Sequence, residues 1–156
     1  MANRDYRMVS AEGEVLLTGT SQWPLIDMTT RRAMRLHNVI EHYENHDIMA
    51  TEFDSIDKIA LPEMTADNVV ARHPATYSMI DHTRHVNNSE YIKILFDCLN
   101  MLDFDIRQPF RLELNYQLES RLGEMLEVSH ITAGNIHYLQ ISNPRSSSVT
   151  ARVTPL

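Results

Sequence analysis

The chain has one cysteine, Cys98, among its 156 residues. No intramolecular disulfide can form, which fits a reducing compartment. Lysine is almost missing: Lys58 and Lys93 are the only two, and the arginines are scattered. With a formal net charge of −7, the chain lacks the clustered cations that a nucleic-acid backbone demands, so no nucleic-acid partner is expected. No apolar run approaches the ~18 residues of a membrane span. The first ten residues, MANRDYRMVS, contain no apolar signal core. A cytoplasmic location is therefore expected. What remains is an ordinary globular composition, long enough for one domain with a full core and part of a second.

Strand signals open the chain. Residues 4–10 alternate weakly, AEG at 11–13 turns, and residues 14–23 (EVLLTGTSQW) read as a second strand. The pair predicts a β-hairpin, which is marginal in water unless it packs on something else. Trp23 reads as a core or interface aromatic. Residues 33–66 are a linker with a little local structure, including a short helix over 37–47. His42 and His46 lie four apart there and could share a helix face. No third ligand stands at a metal-binding spacing, so neither a metal nor a cofactor is expected.

Residues 68–80 predict the first strand of the main domain, with Pro74 marking an edge or a bulge. A polar turn follows, dense in useful side chains: Asp81, His82, Thr83, Arg84, His85, Asn87 and Asn88. It feeds an amphipathic helix ending near Asp103, with Tyr91, Ile92, Leu95, Phe96, Leu99 and Leu102 as the buried face. A polar turn at a helix N-terminus suits a negative charge or a polarised carbonyl. Residues 111–119 (RLELNYQLE) alternate as a strand, with Glu119 on the polar side. Gly123 marks a turn. Residues 125–133, 135–142 and 147–153 predict three more strands, with a hairpin signal at Gly134-Asn135. One long helix followed by a meander of antiparallel strands implies an α+β domain, its sheet curled around the helix. Cys98, beside the buried face, reads as a small core residue. His82 reads as surface. His130 and His137 are strand residues without an evident partner.

Residues 81–92, DHTRHVNNSEYI, carry a resemblance. They are similar to the D-x-N-x-H-V-N-N-x-x-Y-I signature of the acyl-acyl carrier protein thioesterases. Leu114 to Glu119 resembles that family's L-x-Y-x-x-E strand, and Gly123-Glu124 its G-D turn. Upstream, residues 4–6, 12–13, 20–23 and 30–32 look like the closing strands of the family's first domain. The resemblance implies a hot-dog fold, a long helix wrapped by an antiparallel sheet. It implies residues 1–32 as the remnant of a first hot-dog copy, 33–66 as a linker, and 67–156 as one complete C-terminal copy holding the site. The exposed hairpin and open sheet edge leave room for a homodimer.

By the same resemblance the catalytic Asp, His and Glu fall on Asp81, His85 and Glu119. The family's Asn falls on Thr83, whose one hydroxyl stands where an amide offers both a carbonyl and an NH₂. The implied reaction is hydrolysis of fatty acyl-carrier protein in fatty acid biosynthesis, with acyl carrier protein as partner. The chemistry agrees. A thioester carbonyl attacked by water needs a base and donors for the oxyanion. Glu119 is the candidate base, His85 can orient the water or donate to the carbonyl or the leaving thiolate, and Asp81 can orient His85 or the turn backbone. Asn87 and Asn88, at the helix start, are candidates for the oxyanion contact, or simply for capping the helix. Two alternatives stand beside this reading. One is a catalytically impaired acyl-binding or interaction fragment. The other is a hot-dog acyl-CoA thioesterase completed by dimerisation.

Overall fold

A computed structural model describes residues 2–27, 29, 30, 32–34 and 57–156. The predicted helix over 37–47, and with it His42 and His46, lies outside the described residues. The chain divides into two compact units, Met1–Asp57 and Lys58–Leu156. The second begins inside the stretch read as a linker. Among the described residues, no helix is long and apolar enough to cross a membrane.

The first unit contains the expected hairpin. Strand β1 (Ala2–Val9) pairs antiparallel with β2 (Val15–Trp23). Gly13 takes a φ of +89° in the connection, a conformation glycine adopts without steric cost. Trp23 is 45% exposed rather than buried. Its indole donates to Ser21 Oγ at 2.8 Å, and the Arg4 guanidinium lies 5.6 Å from the ring centroid.

The second unit is the α+β hot-dog arrangement. Its sheet has the order β3-β5-β6-β7-β4, all antiparallel: β3 (Val69–Pro74), β4 (Phe110–Tyr116), β5 (Met125–Ala133), β6 (Ile136–Ser142) and β7 (Ser147–Pro155). Only β5, β6 and β7 form a meander. The strand β4 crosses to the far edge and pairs with β7, so the expected simple run of neighbours is incomplete. Its departure from β5 follows from the β4–β5 connection, which is a long polar segment and not a hairpin turn. As an edge strand, β3 tolerates Pro74 as its last residue, where a lost N–H costs no ladder bond. The chain then leaves the predicted strand: Tyr77–Met79 is a single 3-10 turn, and Ile80 makes an isolated bridge to Val86.

Helix α1 (Asn88–Met101) lies against one face of this sheet. Its buried residues are Tyr91, Ile94, Leu95, Cys98 and Leu99. Ile92, Phe96 and Leu102, expected in that face, are only partly buried. The discrepancy is a rotation of the apolar stripe. A 3.6-residue repeat through Tyr91 and Leu95 takes in Ile94 and Cys98 before Ile92 and Phe96, whereas Leu102 is the C-cap, past the last helical residue. Leu126, Val128, Leu139, Ile141, Val149, Ala151 and Val153 supply the sheet side of the core, each at or near complete burial. Complete burial of a Leu, Ile or Val is worth about 1.5–3 kcal/mol before entropy is counted. This anchoring fixes the helix start, and the helix start fixes the polar turn before it. Leu99→Ala should therefore lower unfolding free energy in urea by about 2–5 kcal/mol, and Ile92→Ala by clearly less; equal losses would contradict the rotated stripe.

Candidate active site

The polar turn is a closed loop between the Ile80 and Val86 bridge residues. Asp81 N–H donates to His85 O at 2.9 Å, and Arg84 N–H donates to Asp81 O at 3.0 Å. Inside the loop, Asp81 Oδ1 accepts from Thr83 N at 2.8 Å, Thr83 Oγ1 at 2.6 Å and His85 N at 3.4 Å. Such an Asx-type turn is why an Asp is needed at its head. The Thr83 hydroxyl is the largest influence holding the Asp81 carboxyl below its ordinary range; the remaining burial opposes it, and the Thr83 and His85 N–H groups add to it.

The Thr83 hydroxyl also lies 3.3 Å from His85 Nδ1. His85 Nε2 in turn lies 2.8 Å from Glu119 Oε2. Asp81, Thr83, His85 and Glu119 thus form one continuous chain of polar contacts. The His85 side chain is 17% exposed and that of Glu119 is 59% exposed, so the chain runs from a shielded imidazole out to an accessible carboxylate. The donor inventory constrains its protons. A hydroxyl that donates to Asp81 at 2.6 Å can only accept at its other contact, so Nδ1 carries hydrogen. An Nε2–Oε2 approach of 2.8 Å then needs one shared proton between imidazole and carboxylate.

Glu119 does not sit on a strand, as its alternation predicts. Strand β4 ends at Tyr116, and Gln117 N–H donates to Ser148 O at 2.8 Å as the chain leaves the sheet. The following segment is bound to the His85 loop by Val86 N–H to Ser120 O at 2.9 Å. Ser120 is fully buried, and its N–H donates to the Tyr91 hydroxyl of α1 at 3.1 Å. Behind it, Asn143 Nδ2 reaches Glu119 O at 3.3 Å, Ser120 Oγ at 3.2 Å and Ser148 Oγ at 3.1 Å. Arg145 Nη2 donates to Glu119 O at 2.5 Å, while the same guanidinium pairs with Glu124. Sequence reasoning missed Ser120, Asn143, Arg145 and Ser148. Their residue types read as turn chemistry, and no local pattern distinguishes a buried polar residue from a solvated one.

At the helix start, Asn87 is the N-cap: its Oδ1 accepts from Ser89 N at 2.9 Å. Asn87 N–H is spent on Met79 O at 2.9 Å, and Glu90 N–H on Asn87 O at 2.9 Å. Asn88 N–H, at the first helical position, has no backbone partner among the described residues. The Asn88 carbonyl accepts from Tyr116 Oη at 3.3 Å. His82 is exposed and Cys98 is buried in the core, as expected. His130 and His137, left without a partner by the sequence, are partners of each other: Nε2 and Nδ1 lie 3.1 Å apart and the rings stack. Burial lowers the pKa of both, and the neighbouring His137 lowers that of His130 further.

Residues 63–150 match the family of the acyl-ACP thioesterase C-terminal domain. A chloroplastic palmitoyl-acyl carrier protein thioesterase of Gossypium hirsutum is 26% identical over 130 residues, 80% of this chain and 31% of that protein. The chain thus spans about a third of this curated relative. Among solved structures, an acyl-ACP thioesterase from Bacteroides thetaiotaomicron superposes with a TM-score of 0.68 at 21% identity, covering 97% of this chain and 61% of that one. The 12:0-ACP thioesterase of Umbellularia californica gives 0.69 at 20% identity, again over 97% and 61%. Likeness at that identity establishes the hot-dog fold.

The lowered Asp81 carboxyl makes a pH prediction. A depressed folded-state pKa contributes stability that is fully present above the unfolded value, about 3.9, and is lost as pH falls through the folded value. In urea titrations, the stability gap between wild type and Asp81→Asn should therefore be constant near neutrality and close below about pH 4. A gap that widens on acidification would contradict the loop's dependence on the ionised Asp81.

Proposed function

The chain belongs to the acyl-ACP thioesterase family through its C-terminal domain, and from that premise we propose that it hydrolyses fatty acyl thioesters of acyl carrier protein. The observation that supports this reading most is the 2.8 Å His85–Glu119 contact at the end of the Asp81–Thr83 relay. Glu119 is the general base. Its carboxylate takes a proton from water, and the water oxygen bonds to the thioester carbon. The resulting oxyanion is met by the Asn88 N–H and the positive end of α1. Collapse breaks the C–S bond, and the thiolate leaves with the proton that His85 Nε2 supplies. Fatty acid and carrier-protein thiol are the products, and the proton gained by Glu119 returns to His85 across the 2.8 Å contact.

Asp81, Thr83 and Asn87 are positioning residues in this scheme. Asp81 and Thr83 hold the imidazole through Nδ1, and Asn87 orients the helix end by capping it. Thr83 spends its hydroxyl on Asp81 and His85. That use of one hydroxyl as donor and acceptor favours an active relay over an impaired acyl-binding fragment. Residues 1–32 are read as the closing strands of a first hot-dog copy, a reading supported by superpositions that extend over 97% of the chain.

Release of free thiol from acyl-carrier protein thioesters of several chain lengths is the test. Glu119→Gln should lower kcat by about 10²–10⁴-fold. Thr83→Val, which removes the hydroxyl and keeps the shape, should also lower kcat with KM little changed. Turnover unaffected by Glu119→Gln, or absent at every chain length, would falsify the mechanism. Faster turnover of acyl-CoA than of acyl-carrier protein would favour a CoA thioesterase.

A further inference from the structure

Seven arginines lie in the second unit, and five of them are ion-paired: Arg72, Arg107, Arg111, Arg145 and Arg152, with Glu127, Asp105, Glu113, Glu124 and again Glu113. The other two, Arg84 and Arg121, form no ion pair with a described residue. Both line the same open cavity of about 460 Å³, together with Tyr77, Ile80, Asp81 and Leu122. Tyr77 is 83% exposed and Leu122 55% exposed, so apolar surface stands at the rim beside the two cations. Asp81 is the one carboxylate on the wall, and its Oδ1 is already occupied by Thr83 and His85.

Arg84 adds a second observation. Its φ is +67°, in the left-handed region. Its position closes a turn in which Arg84 N–H bonds to Asp81 O and Asp81 N–H to His85 O. Glycine or asparagine is the residue this geometry favours, because a Cβ there is crowded. A strained arginine kept where glycine would be cheaper points to work done by its side chain.

We propose that Arg84 and Arg121 bind the phosphate of a phosphopantetheine arm, with Tyr77, Ile80 and Leu122 against the arm's apolar portion. The inference rests on the thioesterase reading, since that arm carries the thioester in both carrier-protein and CoA substrates. Two guanidiniums suit a phosphate by charge and by forked hydrogen bonding. The cavity adjoins Asp81, the head of the catalytic relay, so an arm anchored there can deliver its sulfur end toward His85 and Glu119. The net charge of −7 offers no broad attraction to an anionic ligand, so phosphate recognition falls to a local site such as this.

The test compares acyl-carrier protein and acyl-CoA with acyl-pantetheine, which lacks the phosphate. In Arg121→Ala and Arg84→Gly, the kcat/KM preference for the phosphorylated thioesters over acyl-pantetheine should fall by about tenfold, carried by KM. Arg84→Gly should do so without any loss of Tm. An undiminished preference overturns the site, as does a loss confined to acyl-CoA, which would locate recognition on the nucleotide. Calorimetry with 4′-phosphopantetheine and pantetheine separates this inference from the mechanism. Wild type should bind the phosphorylated form more tightly, and Arg121→Ala should erase the difference whether or not hydrolysis is detected. Equal affinity of wild type for the two compounds refutes the proposal.

Discussion

The hydrogen bond from Val86 N–H to Ser120 O is the constraint on which the site depends. His85 precedes one end of it and Glu119 precedes the other. Neither residue lies in a helix or a strand, so no regular ladder sets their separation. That separation is set by this bond, by the Ser120 N–H to Tyr91 contact with the helix, and by the Asn143 and Arg145 donors on the Glu119 carbonyl. All of these groups are shielded from solvent or satisfied by neighbours, where leaving a polar atom unpaired costs about 1–3 kcal/mol. The network therefore tolerates few alternative arrangements. Its rigidity is inherited by the exposed Glu119 carboxylate, which would otherwise be a mobile surface group.

The core supports this network from below. Tyr91 packs its ring in the core and presents its hydroxyl to Ser120, so one residue joins the apolar packing of α1 to the polar site. Its ring meets Tyr116 edge-on, with centroids 6.2 Å apart, and Tyr116 reaches back to the Asn88 carbonyl at the helix start. The helix N-terminus, the proposed oxyanion position, is thus fixed by the sheet as well as by its Asn87 cap. The positive φ of Arg84 shows that the loop accepts local strain to keep its shape.

Much of this was legible in the residues. Strand alternation placed β4 to β7 within a few positions, and the apolar repeat located the helix. The polar turn stood out as a cluster of His, Asp and Asn at a helix start, and the structure joins Asp81, Thr83 and His85 within it. Three features were not legible. The crossing of β4 to the far edge is a long-range choice that local alternation does not encode. The rotation of the helix stripe depends on which neighbours the sheet offers to Ile94 and Cys98. The bend after Tyr116, which takes Glu119 out of the strand, depends on Ser120 finding Val86 and Tyr91, residues distant in the chain. Asn143 and Ser148 are polar yet almost fully buried, and only their partners explain why.

The central claim is that His85 and Glu119 act as one unit. A double-mutant cycle on kcat with acyl-carrier protein substrate tests it most directly, using His85→Ala, Glu119→Gln and the double variant. If the two share one proton across their 2.8 Å contact, the double variant should be scarcely slower than the worse single variant. Effects that multiply, so that each residue loses the same factor whether or not the other is present, would contradict the account.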